Sequence, residues 1–166
     1  MNLAGLLSRT ALTYPNYTAV SIGPQALLTY AQLRENAARL GGGLQNILKL
    51  DPGDRVALIM KNSPEVIEII FGAWQAGLCV VPINSKLHPR EFGFILENSG
   101  AKACFFTKEL SEAVIDARSD AVALEHLIET SSDKYFSLKT SNEIAENEVK
   151  PTDLAWLFYT SGTTGR

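Results

Sequence analysis

Between residues 54 and 107, short apolar runs alternate with longer stretches in which apolar residues recur at helical spacing. The runs RVALIM, LCVVPI and KACFF lack polar alternation, which is typical of strands buried on both faces of a parallel sheet. NSPEVIEIIFGAWQAG and HPREFGFILENSG each carry an early proline and a late glycine, which indicates helices, with Ser63 and Gly77 bounding the first. This order predicts an α/β fold with right-handed crossovers and a parallel sheet flanked by helices.

The N-terminal third predicts a short first helix capped by Asn2, a small hairpin and a long helix. TAVSI and ALLTY, separated by Gly23-Pro24-Gln25, are the hairpin strands. The long helix begins at a capping box formed by Thr29 and Gln32. Its interior triplet Gly41–Gly43 costs about 1 kcal/mol per glycine, and the sequence leaves open whether close packing or a break in the helix explains it.

Beyond residue 107 the pattern weakens. KELSEAVIDAR predicts a helix, and LEHLIE could be a strand. The polar stretch TSSDKYFSLKTSNEIAENEVKP reads as a surface excursion, and LAWLFYT as a last buried strand.

Several side chains have ordinary structural interpretations. Trp74 and Trp156 are expected in the core, and His88 at the surface or as a helix cap. Glu65 and Glu68 are expected on a solvated helix face.

Composition narrows the functional classes. The 166 residues are 46% hydrophobic and 20% charged, with a net charge of -3, which suits a globular domain without a basic surface for nucleic acid. No apolar run reaches the roughly 20 residues of a membrane span, and the N-terminus lacks a signal-peptide pattern, so a cytoplasmic location is expected. Cys79 and Cys104 lie in apolar runs without metal-ligand spacing and predict buried, reduced thiols; no metal site and no catalytic residue is predicted.

The run LAWLFYT leads into SGTTGR, a loop rich in hydroxyls and glycines. In α/β proteins, ligands bind beyond the carboxyl ends of parallel strands, and backbone N–H groups plus hydroxyls there can cradle phosphate. The glycine spacing differs from that of the Walker loop. Taken alone, the loop is more typical of a connecting turn than of a phosphate site. The candidate phosphate-binding residues are Thr160, Ser161, Gly162, Thr163, Thr164 and Gly165.

The loop YTSGTTGR resembles the phosphate loop of the AMP-forming acyl-CoA synthetases and their adenylate-forming relatives. LLTYAQLRENAARLGGGL resembles an early helix of that family, and the block from DPGDRVALIM to GAKACFF resembles its next segment in the same order. The resemblance covers residues 5–107 and 150–166, so the chain is identified as a member of this superfamily.

The resemblance implies an enzyme that uses ATP and Mg²⁺ to convert a carboxylic acid into an acyl-adenylate and then transfers it to coenzyme A. It implies a fatty or aromatic acid as substrate, and Asn84 favours this ligase branch over amino-acid-adenylating domains. Residues 1–166 would form the N-terminal part of the large AMP-binding domain, without its remainder or the C-terminal domain, and should be inactive alone.

Two alternatives stay open at this point: an amino-acid-adenylating domain, and a non-catalytic binding module derived from the same fold. A chain lacking the rest of its domain would expose apolar surface, so self-association is expected.

Overall fold

The computed structural model describes residues 1–160 of the chain, apart from the side chain of Asp120. Its centre is a four-stranded parallel sheet in the order β4-β3-β5-β6. The strands are β3 (Arg55–Met60), β4 (Cys79–Asn84), β5 (Ala101–Phe106) and β6 (His126–Glu129). Three of the four are the runs that lack polar alternation, and the predicted parallel sheet is confirmed.

Helices cover both faces of the sheet, and alternate strand residues divide the core into two layers. The helices are α1 (Ala4–Thr13), α2 (Tyr30–Asn46), α3 (Pro64–Gln75), α4 (Pro89–Ser99), α5 (Ser111–Ala117) and α6 (Asp133–Lys139). Val56 and Leu58 pack with α1, α2, α3 and α6 on one face, which we call the α3 face. Ala57 and Ile59 pack with α4 and α5 on the other, the α4 face.

The expected N-terminal hairpin is present as β1 (Thr18–Ile22) and β2 (Gln25–Thr29), which pair antiparallel. The Thr29–Gln32 capping box opens α2 as the sequence predicts. Asn2 caps the first helix, since its Oδ1 accepts the backbone N–H of Ala4 at 2.9 Å. Ser63 occupies the expected cap position of α3, but its hydroxyl makes no capping bond and has no partner among the described residues.

The Gly41–Gly43 triplet lies inside the continuous helix α2, so close packing is its explanation and a break is excluded. A Cβ on Gly41 would lie 3.0 Å from the carbonyl oxygen of Gly72 on α3. A Cβ on Gly43 would lie 2.5 Å from the carbonyl oxygen of Leu138. The triplet therefore allows two neighbouring backbones to approach the helix closely, and this packing offsets the low helix propensity of glycine.

The predicted surface excursion after β6 is wrong in its first half. Residues 133–139 form α6, whose Tyr135 and Leu138 are buried in the α3-face core. The interpretation of Glu68 as solvated is wrong for the same reason, because its carboxylate is only 4% exposed and binds α6. Glu65 stays partly exposed.

The expected last buried strand, LAWLFYT, is also not formed. The segment makes one isolated parallel bridge, Val80 to Trp156, and residues 154–160 are exposed or partly exposed. It runs along the outer edge of β4, with no described residue pairing on its far side. An edge strand held at one point lacks the ladder that defines a strand.

Within the described residues, no helix is long and apolar enough to cross a bilayer. The cytoplasmic location stays a prediction.

Candidate functional site

Thr160 lies where the candidate loop leaves the sheet. Val80 N–H donates to the carbonyl of Ala155 at 3.0 Å, and Leu157 N–H donates to the carbonyl of Val80 at 2.9 Å. This parallel register brings Thr160 beside Asn84, the last residue of β4, and both line one cleft. The first candidate residue is thus exposed at the carboxyl edge of the sheet, where ligands of such folds bind. The other five candidates, Ser161 to Gly165, lie outside the described residues.

The cleft that contains Thr160 opens on the α4 face and has a volume of about 240 Å³. Its apolar walls come from α4 and from the loop before that helix, including Phe94 and Ile95. The Glu91 carboxylate faces this cleft but is occupied, because it accepts the backbone N–H of His88 at 2.8 Å. His88 is the predicted helix cap, and its Nδ1 accepts the N–H of Arg90 at 3.2 Å.

A second cleft of about 390 Å³ lies across the same segment, on the α3 face. Leu58, Met60 and Phe158 contribute apolar surface, and Asn62 and Asn84, which lie in a loop and at a strand end, are among its polar lining residues. The segment 154–160 therefore separates two clefts that meet at its loop end. Both contain groups suited to an uncharged or partly apolar ligand, and neither could have been located from sequence spacing.

The segment is fastened to α3 by an aromatic side chain. The indole N–H of Trp74 donates to the carbonyl of Ala155 at 3.0 Å, so that oxygen accepts two hydrogen bonds. The Trp74 and Trp156 rings meet edge-on with centroids 4.7 Å apart, and Trp156 stacks on Phe158 at 5.2 Å. Trp74 is a core residue as predicted, and Trp156 is partly buried.

The topological switch of the sheet lies between β3 and β5, because the crossovers leave these strands in opposite directions. At this position the protein forms an ion pair and a hydrogen bond between its own residues. Lys61 Nζ lies 3.3 Å from a Glu109 carboxylate oxygen, and the Lys61 N–H donates to the Thr107 hydroxyl at 3.5 Å. A hydrogen bond to its own backbone and the nearby lysine lower the pKa of Glu109. Sequence reasoning missed this cluster, since its members come from separate connections.

The remaining reactive residue types have structural roles. Burial raises the pKa of Cys79, and it raises the pKa of Cys104 from 9.0 to about 12, so both thiols stay protonated as the sequence suggested. His126 Nε2 lies 2.9 Å from the carbonyl oxygen of Leu48. Within residues 1–160, no group of three His, Cys, Asp or Glu side chains is placed to hold a metal ion.

Comparison with known proteins gives consistent matches. A family model described as "AMP-binding enzyme" matches residues 7–166. A feruloyl-CoA synthase of Amycolatopsis is 37% identical over 158 residues, which cover 95% of this chain and 30% of that protein. The nonribosomal peptide synthetase sidE of Aspergillus fumigatus is 32% identical over 98% of this chain and 7% of its own length.

Among solved structures, the inhibitor-bound N-terminal domain of FACL13 from Mycobacterium tuberculosis superposes with a TM-score of 0.89. It is 32% identical, and the match covers 99% of this chain and 42% of that domain. The chain therefore spans less than half the length of each of these relatives.

Proposed function

Because the chain belongs to the AMP-binding enzyme family, we propose that it is the N-terminal part of an ATP-dependent ligase that joins a carboxylic acid to coenzyme A. The observation that carries the proposal is the position of Thr160, exposed at the carboxyl edge of the parallel sheet immediately before the Ser-Gly-Thr-Thr-Gly sequence. Residues 1–166 would be one part of the large AMP-binding domain, with the rest of the active site contributed by further chain.

The proposed role of Thr160, Ser161, Gly162, Thr163, Thr164 and Gly165 is to hold the triphosphate of ATP and the departing pyrophosphate. Attack of the substrate carboxylate on the α-phosphate forms the acyl-adenylate and releases pyrophosphate, and negative charge builds on the phosphate oxygens. Hydroxyl and backbone N–H donors suit those oxygens, whereas a carboxylate in the same place would repel them.

ATP, Mg²⁺ and coenzyme A are the cofactors of this proposal. A divalent cation would supply charge neutralisation on the phosphates. No described side chain is assigned to it. The apolar walls of the two clefts beside Thr160 suit a fatty or aromatic acid better than a small charged one.

Two other functions compete with this one. An amino-acid-adenylating domain is supported by the similarity to the peptide synthetase sidE. The ligase is favoured because the feruloyl-CoA synthase is more similar, at 37% identity against 32%. A non-catalytic binding module would keep the sheet and lose the loop's contribution to chemistry.

ATP–pyrophosphate exchange by the complete protein encoded with this chain tests the proposal. Exchange that depends on a fatty or aromatic acid, followed by thioester formation with coenzyme A, is the expected result. Exchange with amino acids alone would support the adenylating-domain alternative. No exchange with any acid would support the binding module.

The loop is tested separately by Gly162→Val, which puts a branched side chain where a phosphate should approach. It should reduce exchange at least about a hundredfold, as loss of transition-state donors does in other enzymes. Thr18→Val in the hairpin is the matched control and should leave exchange unchanged. The 166-residue chain by itself should show none.

A further inference from the structure

The segment that leads to the candidate loop has different contacts on its two faces. On the α3 face, Phe158 is 68% exposed and stacks on Trp156. On the α4 face, Leu157 and Tyr159 pack against the core formed by β4, β5 and α4. The alternation places the side chain of Tyr159, the residue directly before Thr160, along α4.

The hydroxyl of Tyr159 donates to Oδ1 of Asn98, in the last turn of α4, at 2.7 Å. The backbone of the segment is bonded to β4 through Ala155 and Leu157. After Leu157, the Tyr159–Asn98 bond is the one hydrogen bond within the described residues that ties residues 158–160 to the rest of the protein.

We propose that Tyr159 and Asn98 form a positioning pair that fixes the point at which the phosphate loop leaves the sheet. The inference rests on the proposed function, because it assigns the pair to that loop. Neither side chain needs to touch a substrate. The ring of Tyr159 packs against the α4-face core and its hydroxyl is bonded to Asn98 on α4, so this side chain anchors the residue directly before Thr160. A helix packed on the sheet is a more precise support than a loop would be.

The pair predicts a selective effect on ATP. Tyr159→Phe removes only the hydroxyl, and Asn98→Ala removes the acceptor together with the rest of the carboxamide, so each should raise the KM for ATP of the complete enzyme about two- to tenfold, the factor expected from one net hydrogen bond. The KM for the carboxylic acid should not change. A residue that served stability alone would lower the active fraction, and hence kcat, without changing the KM for ATP.

Two further variants sharpen this test. Asn98→Asp keeps an acceptor oxygen and should retain the wild-type KM for ATP. The double variant Tyr159→Phe/Asn98→Ala should be no worse than either single variant, because both remove the same interaction. Tyr17→Phe, which deletes the hydroxyl of a tyrosine in the N-terminal region, is the matched control and should resemble the wild type.

The proposal is overturned if the wild type exchanges pyrophosphate and the Tyr159→Phe variant has the same KM for ATP as the wild type. If the wild type shows no pyrophosphate exchange, the proposed function fails, and the pair is decided by amide hydrogen exchange at Leu157, whose N–H donates to Val80, in the 166-residue chain. Exchange should then be about two- to tenfold faster in Tyr159→Phe and Asn98→Ala, but not in Asn98→Asp. Equal rates in all these proteins would remove the pair as a positioning device.

Discussion

The buried carboxylate of Glu68 gives a quantitative test of the fold. It accepts hydrogen bonds from Asn36 Nδ2 at 2.7 Å on α2, from the Tyr135 hydroxyl at 3.1 Å and from Lys139 Nζ at 2.6 Å on α6. Glu68 itself lies on α3, so one side chain joins three helices. Its side chain is 5% exposed, whereas that of Lys139 is 25% exposed.

Glu68→Ala would leave three buried or partly buried donors without their acceptor. Removal of one partner from a buried ion pair costs about 3–5 kcal/mol. The partial exposure of Lys139 lets its ammonium reach water, which favours the lower end, about 3 kcal/mol. For a chain of this size, that loss lowers the thermal midpoint by roughly 6–12 °C.

Urea unfolding followed by circular dichroism measures the change in the free energy of unfolding directly. Glu65→Ala is the matched control, since Glu65 lies on the same helix, is partly exposed, and should change stability by no more than about 0.5 kcal/mol. Lys139→Met should also destabilise the chain, because it leaves the buried Glu68 carboxylate, whose side chain is 5% exposed, without its counter-ion. If Glu68→Ala and Glu65→Ala unfold at the same urea concentration, the buried network does not stabilise the chain and the reasoning is refuted.

Four other outcomes are expected of the 166-residue chain. Gly43→Ala should lower stability by about 1–3 kcal/mol in the same urea assay, because its Cβ would meet the Leu138 carbonyl at 2.5 Å; an unchanged midpoint would contradict the close approach. Cys79 and Cys104 should react with a thiol reagent only after unfolding. Since the pKa of Cys104 is raised from 9.0 to about 12, its contribution to stability is complete below pH 9 and is lost as the pH rises towards 12. In a pH series of unfolding curves, the free energy of unfolding of a Cys104→Ala chain should therefore fall less steeply above pH 9 than that of the wild type. Light scattering should detect self-association, and Phe158→Lys should weaken it, because that exposed ring lies at the open edge beside β4; a monomer at all concentrations would exclude an association surface there.

The elements that the sequence predicted correctly are those in which local signals and burial agree. β3, β4 and β5 formed from the runs RVALIM, LCVVPI and KACFF, in which every residue after the first is apolar. A strand buried on both faces requires that pattern. His88 and Gly100 bound α4 through a capping box and a left-handed terminal residue, both of which are local chemistry. Helix α6 escaped prediction because it is only seven residues long and buries only two of them, Tyr135 and Leu138.

The candidate site was predictable only in part, for a related reason. Apolar character predicted that LAWLFYT would be buried, but burial requires neighbours on both sides, and the segment has β4 on one side only within residues 1–160. The tie between Tyr159 and Asn98 joins residues far apart in sequence, and no spacing rule indicates it. Thr160, by contrast, follows from topology alone, because the end of a chain segment parallel to β4 must lie at the carboxyl edge.

Residues 138–147, a mostly polar stretch that precedes the candidate loop, help to position that loop. Gly41–Gly43 give the backbone around residues 138–142 room to lie against α2, and Gln75 Nε2 then donates to the carbonyl of Ile144 at 2.8 Å. The Asn2 amide donates to the carbonyls of both Asn147 and Trp74, at 3.0 and 2.6 Å. Trp74 in turn donates to Ala155, five residues before Thr160. This series of hydrogen bonds thus links the segment before Thr160 to the backbone of the central helices. A polar sequence here does not mean a free surface loop, because its backbone groups are satisfied by the helices beneath it.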